Sequence, residues 1–320
     1  MEKKDLKIVF YGTPDFAVET LKTLVDRQYQ VVAVVTAPDK PAGRGKKITS
    51  SPVKQFALKH KIPVLQPVKL KDPDFLKTLK QIAPDLQIVV AFRMLPKEVW
   101  SLPPLGTFNL HASLLPQYRG ASPINYALIN GERRTGLTTF FIDDRIDTGN
   151  ILLQKQLPIE EDDTFETLHD KMMKIGADLV VETVEGLLKG ELKPIPQKEI
   201  ENGSTLKTAP KIKKEDCHIN WNQEIDKIYN FIRGLSPWPG AYTYFVDESG
   251  KKYYAKIFKT KKIDEKGRPG DVETDHQNYL KVFGKDGALL IEELQLAGKK
   301  RMKTVDFLRG FKFSGKIKAQ

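Results

Sequence analysis

The sequence predicts an α/β fold: a parallel sheet with helices on both faces, followed by a small β-barrel. Three observations lead there. Short apolar runs alternate with helical segments through the first 190 residues, as in strands joined by crossover helices. The clearest of these runs, QVVAVVT at 30–36, holds five consecutive apolar residues, as a central parallel strand does. Beyond residue 210 the chain turns into short alternating segments separated by Gly and Asp, the pattern of a small barrel.

Element by element, residues 7–11 read as a buried strand. Thr13 and Pro14 then offer a cap with proline at the first helical position, opening a helix to about 26. Residues 30–36 form the next strand, and Ser51-Pro52 repeats the cap-plus-proline signal for a helix to about 60. A short strand at 63–65, a helix at 74–82, a strand at 86–91 and a short helix at 96–100 follow. Then come a strand at 107–111 and a helix at 123–129, with an added strand pair at 136–142 and 151–158. A strong helical pattern covers 164–189. Residues 191–210 are rich in Pro, Gly, Lys and Glu and read as a linker between a domain at 1–190 and a domain at 211–320. The second domain starts with a helix at 223–234, then strands near 241–245, 252–259, 278–283 and 288–296.

The 320 residues suit two domains. No apolar run approaches the ~20 residues of a membrane span, and the charged N-terminus lacks a signal-peptide pattern. The single cysteine, Cys217, excludes an internal disulfide and a multi-cysteine zinc site. A cytoplasmic protein is expected, and nothing demands more than a monomer. Net charge is +11, of which +8 falls in residues 211–320. A basic terminal domain fits an anionic partner such as nucleic acid, and it equally fits a lysine-rich solvated surface.

The FYGTPDFA stretch follows a strand and opens a helix, as a dinucleotide-binding turn does. After Gly12, however, the remaining fingerprint glycines are replaced by Pro14 and Ala17. Proline removes a backbone donor, which argues against a nicotinamide enzyme. The five histidines are scattered, and Asp143, Asp144 and Asp147 lack a calcium-loop pattern, so no metal is expected. Asn109 and His111 share one face at the end of a strand, directly before a loop containing Pro116, Arg119 and Gly120. Ligands bind at such strand ends in open α/β sheets. An amide donor beside an imidazole can stabilise an oxyanion while a proton moves, and an aspartate such as Asp147 can orient the imidazole or stabilise its cation. No serine elbow accompanies them, which favours direct acyl transfer. An isolated Asn-x-His also fits a capped strand end, and spacing alone does not bring Asp147 to His111.

The run NLHASLLPQYRGASPI, with IDTGNIL downstream, resembles the 10-formyltetrahydrofolate-dependent formyltransferases. VFYGTPDFAV, TAPDKPAGRGKK, SPVKQFA, SPWPGAY and LQLAGKKRM extend the resemblance over about residues 6–312. It implies a Rossmann-like catalytic domain, a linker and an OB-like barrel. It implies transfer of a formyl group from N10 of the folate to the methionyl α-amine of an initiator tRNA, with no metal. By motif, Asn109, His111 and Asp147 are the expected catalytic residues, and Ser113, Leu114, Leu115 and Pro116 are expected to line the folate pocket. The loop at 37–47 is cationic, with a single acid. The resemblance assigns it to the tRNA acceptor stem through Arg44, assisted by Lys46 and Lys47. One segment, VVAFRMLPKEVW, departs from the family's usual alanine-tyrosine-glycine step, so pterin contacts at Phe92 and Arg93 do not carry over.

Overall fold

The structure is a computed structural model that describes residues 3–42, 47–201, 203 and 205–320. After a short 3-10 turn at Lys3–Asp5 come β1 (Ile8–Gly12), α1 (Asp15–Asp26) and β2 (Val31–Val35). A small antiparallel hairpin of β3 (Lys40–Ala42) and β4 (Lys47–Thr49) follows. Next come α2 (Pro52–Lys59), β5 (Val64–Leu65), α3 (Pro73–Ile82), β6 (Leu86–Val90), α4 (Lys97–Trp100) and β7 (Thr107–His111). The middle of the chain forms β8 (Arg119–Gly120), α5 (Pro123–Ile129), β9 (Arg134–Phe141), β10 (Ile151–Pro158) and α6 (Phe165–Lys189). The stretch expected as a linker carries α7 (Gln197–Ile200) and β11 (Thr208–Ala209). Then follow α8 (Ile225–Gly234), β12 (Ala241–Val246), β13 (Lys252–Ile263), β14 (Asp271–Thr274), β15 (Leu280–Phe283), β16 (Ala288–Leu296), β17 (Met302–Lys303), α9 (Thr304–Gly310) and β18 (Ile317–Ala319).

These elements form two compact units. The first holds residues 1–120, 136–157 and 169–208, and the second holds 121–135, 158–168 and 209–320. The first is built on a sheet in the order β10-β9-β7-β6-β1-β2-β5. From β7 to β5 its strands run parallel, and β9 adds antiparallel to β7. β1 and β6 are buried at every position, which is why their sequences are apolar throughout except for Gln87 of β6. Val9, Tyr11, Ala33, Val35 and Val89 pack with Phe75 and Leu79 of α3 and Val99 of α4. On the opposite face of β7, Leu110 meets α6 at Gly176, where a Cβ would come within 2.8 Å of the leucine. That contact commits Leu110 to the α6 side, so Asn109 and His111 turn to the other side.

Ser51 caps α2 as expected, accepting from the Lys54 amide at 3.1 Å with Pro52 in the first turn. The matching expectation for α1 fails. Pro14 itself is the N-cap, in extended conformation, and no side chain caps the helix. Asp15 instead starts α1, where a carboxylate suits the positive end of the helix, and its Oδ1 accepts from the Phe16 amide.

In the second unit β13-β12-β18-β14-β15-β16 close into a barrel through the β13–β16 pairing. Phe245, Ile257, Val282, Leu289 and Leu294 fill it, joined by Ile228 and Ile232 of α8. The same unit takes in α5 and residues 158–168. Asn125 Nδ2 donates to the Gly234 carbonyl at 2.8 Å, and the buried Arg233 guanidinium donates to the carbonyls of Glu160 and Asp163.

Candidate active site

His111 ends β7 and is buried. Its Nε2 lies 2.9 Å from the carbonyl oxygen of Tyr118. A carbonyl only accepts, so Nε2 carries a proton, and in the neutral ring Nδ1 holds the lone pair. Nδ1 stands 3.8 Å from Asp147 Oδ2, beyond direct hydrogen-bond reach but close enough for that carboxylate to support a charge on the ring. Asn109 sits two residues back on the same face, half-buried, with Phe140 of β9 beside it in register. Its side-chain amide makes no hydrogen bond to the described residues.

The loop after β7 explains itself residue by residue. Thr138 of β9 donates from Oγ1 to the Ser113 carbonyl and accepts from the Leu115 amide. Gln154 of β10 adds a donor to the Leu115 carbonyl at 2.8 Å. Ser113 is buried, and its hydroxyl donates to the Gln117 carbonyl at 2.6 Å. The Leu115–Pro116 peptide is cis, and Tyr118 adopts φ +61°. That left-handed residue turns its carbonyl back onto His111. Gly120, at φ +126°, is in a region that favours glycine, and its amide donates to Asp147 Oδ2 at 2.9 Å. Arg119, between them, donates from Nε and a terminal nitrogen to Gln197 Oε1 at 3.0 and 2.6 Å. Three consecutive residues, Tyr118, Arg119 and Gly120, thus serve the imidazole, a buried glutamine and the carboxylate in turn.

Asp147 lies in the β9–β10 loop at φ +55°. Two devices hold that turn. Gly149 closes it against β9, where a Cβ would fall 1.6 Å from the Phe141 carbonyl oxygen. Gln197, buried in α7, donates both amide hydrogens, to the Asp147 and Gly149 carbonyls, each at 2.9 Å. Gln197 is the residue that sequence reasoning missed, because it stands in a stretch whose composition reads as a linker. Its signal was faint: one glutamine between Pro196 and Lys198. Gly149→Ala is expected to force the turn off β9, with a stability loss of about 1–3 kcal/mol and a fall in turnover, read by thermal melting and by a transfer assay.

The structure therefore brings Asn109, His111 and Asp147 to one place. Of residues 113–116, Ser113, Leu115 and Pro116 are buried and Leu114 is half-buried. Arg44 and Lys46 lie outside the described residues, and Lys47 opens β4. Arg93 folds back, donating to the carbonyls of Pro67 and Val68. Among the described residues no group of three or more His, Cys, Asp or Glu is arranged to hold a metal ion. No described helix is long and apolar enough to cross a membrane.

Asn109 and His111 at the end of β7, with Asp147 of the β9–β10 loop 3.8 Å from the imidazole, make up a candidate site of the kind suited to direct group transfer. The formyl transferase family profile matches residues 6–184, and the formyl transferase C-terminal domain profile matches 211–312. The chain belongs to the formyl transferase family. It is 55% identical over 313 residues to the methionyl-tRNA formyltransferase of Bacteroides fragilis, covering 97% of both chains. To that of Parabacteroides distasonis it is 55% identical, covering 98% of both, and to that of Porphyromonas gingivalis 46%, again covering 98% of both. Within the family it groups with the methionyl-tRNA formyltransferases. Solved structures share the fold. HypX from Aquifex aeolicus in complex with tetrahydrofolic acid is 20% identical with TM-score 0.63, over 96% of this chain and 48% of that one. WlaRD, a sugar 3N-formyl transferase, is 23% identical with TM-score 0.60, over 92% and 99%.

Proposed function

We propose that Asn109, His111 and Asp147 carry the transfer of a formyl group from 10-formyltetrahydrofolate to the α-amino group of initiator methionyl-tRNA. The observation that carries this reading is the contrast within the site. Nε2 of His111 and Oδ2 of Asp147 are each fixed by a backbone partner, while the Asn109 amide is unengaged among the described residues.

The chemistry follows from those commitments. The attacking amine adds to the formyl carbon, the carbonyl electron pair moves onto oxygen, and a tetrahedral intermediate forms. The Asn109 amide donates to that oxygen, a hydrogen bond that strengthens as charge develops. One proton must leave the attacking nitrogen and one must reach N10 of the folate as its bond to carbon breaks. Nε2–H of His111 is held by Tyr118, so Nδ1 is the position free to exchange a proton. Once protonated, it becomes a second donor to the oxygen, with Asp147 balancing the ring's charge. Residues 113–116 border the folate, and a turn this buried offers it a backbone edge and Leu114. Arg44, with Lys46 and Lys47, meets acceptor-stem phosphates, and the basic barrel adds affinity for the tRNA backbone.

The test follows formyl-methionine made from 10-formyltetrahydrofolate and charged tRNA at limiting tRNA. Arg44→Ala is expected to raise KM for the tRNA about tenfold, to leave folate KM unchanged, and to flatten the salt dependence. An unchanged KM at moderate salt removes the loop from the reading.

A further inference from the structure

The barrel's β12–β13 face has no role in the transfer chemistry, yet its composition is unusual. Alternation along β12 buries Ala241, Thr243 and Phe245 and turns Tyr242 and Tyr244 outward. An outward sheet face of a soluble protein ordinarily carries polar side chains. Here Tyr244 stands opposite Tyr254 and Tyr242 opposite Lys256 on β13. His218 joins them, its ring 5.0 Å from that of Tyr242, with Nε2 donating to the Gln320 carbonyl at 2.9 Å. Tyr242 and Tyr254 are 5.0 Å apart and inclined by only 30°. The rings brace one another into a tile rather than hanging free.

Trp238 is linked to the tile through Lys256, which stands opposite Tyr242. The tryptophan is 71% exposed, third among the large apolar side chains of the described residues after Ile48 at 77% and Val68 at 76%, both aliphatic. Lys256 Nζ lies 5.7 Å over its ring and donates to the Pro239 carbonyl. Lys214 Nζ lies 5.9 Å over the Tyr254 ring. Lys252 and Lys318 flank Val246, the next outward position of β12. Three acids stand at the margin against the four lysines: Glu215 and Asp216 beside Cys217, and Asp271, 3.7 Å from Lys318. Cations therefore outnumber acids around the aromatic surface.

We infer that this outward face of β12 and β13 is a stacking platform for the unpaired bases of a single-stranded RNA segment. Every base has a π-face, so aromatic tiles bind single strands with little sequence preference, while surrounding lysines follow the phosphates. Duplex RNA keeps its bases stacked inside and cannot use the rings. An acidic protein partner would answer the lysines but would leave Trp238 and the tyrosines without a specific role. The inference does not depend on the transfer reaction, since none of these residues belongs to the active site.

The experiment uses the full chain and two labelled probes of equal length and charge: octauridylate and the corresponding abasic ribose-phosphate octamer. Binding is followed by fluorescence anisotropy at moderate salt. Octauridylate is expected to bind about tenfold more tightly than the abasic octamer. Trp238→Ala and Tyr244→Ser are each expected to weaken octauridylate about fivefold or more and to leave the abasic octamer unchanged. Trp238→Phe, which keeps a stacking ring, is expected to retain most of the preference. Because both side chains are exposed, their loss leaves the barrel core intact. Equal binding of the two octamers overturns the inference, as does a base preference that survives both variants. The face then belongs to a partner of another class, such as a protein.

Discussion

His111→Ala is expected to lower kcat for formyl transfer by about three orders of magnitude while tRNA affinity stays within about twofold. In the proposed reaction the ring performs two tasks, and only the second is shared, with the Asn109 amide. The ring moves the proton that the attacking amine must lose, an effect worth roughly 10²–10⁴ in rate. Once protonated, it also stands as a donor to the oxygen of the intermediate. The cost to folding is smaller, because the one partner stranded is the Tyr118 carbonyl. Rapid-quench measurement of formyl-methionine under single-turnover conditions reads the chemical step, and anisotropy with charged tRNA reads binding. A variant that keeps a tenth of the parent rate, or loses rate and affinity in proportion, removes His111 from the chemistry.

Gln197→Ala is expected to lower kcat about 10- to 100-fold and to reduce stability, with folate and tRNA dissociation constants little changed. The glutamine amide has two donors and uses both, and its oxygen takes both bonds from Arg119. Alanine leaves the carbonyls of Asp147 and Gly149 without partners and takes both hydrogen bonds from the Arg119 fork, which keeps its ion pair with Glu201 at 3.8 Å. A buried polar group that loses its partner costs roughly 1–3 kcal/mol, so the turn has reason to rearrange toward water. A displacement of Asp147 by about 1 Å is enough for a 10²-fold loss. Gln197→Glu separates positioning from bulk: it preserves volume, yet an ionised carboxylate cannot donate to either carbonyl. A purely structural role predicts a lower melting temperature with unchanged turnover per folded molecule. A positioning role predicts that kcat falls well below the melting transition, for both variants.

Much of this was legible because the deciding signals were local. Strands β1 and β2 carry continuous apolar runs, β6 carries one broken only by Gln87, and Ser51-Pro52 announces α2 within two residues. Asn109 and His111 could be put on one face from spacing alone. What escaped depended on distant partners. Thr13-Pro14 has the same local grammar as Ser51-Pro52, but Pro14 took the cap position, and only the chain's path after β1 decides that. β14, β17 and β18 are too short and too polar to carry a period of their own, and pairing within the barrel makes them strands. Asp147 came to His111 through the resemblance rather than through spacing. Gln197 lies 50 residues from the carbonyl of Asp147 that it holds, and no periodicity links the two.

The interleaving of the two compact units bears on inheritance. The chain passes from one unit to the other after residues 120, 135, 157, 168 and 208. A crossover between related genes near codon 210 would therefore not exchange one whole unit for another. It would pair a native α8 with a foreign α5 and a foreign 158–168 segment, and the contacts of Asn125 with Gly234 and of Arg233 with Glu160 and Asp163 would span the junction. Hybrids should survive only when both parents carry compatible residues at those positions. The C-terminal barrel is thus bound to its own amino-terminal partner segments by descent, and it cannot travel as a cassette.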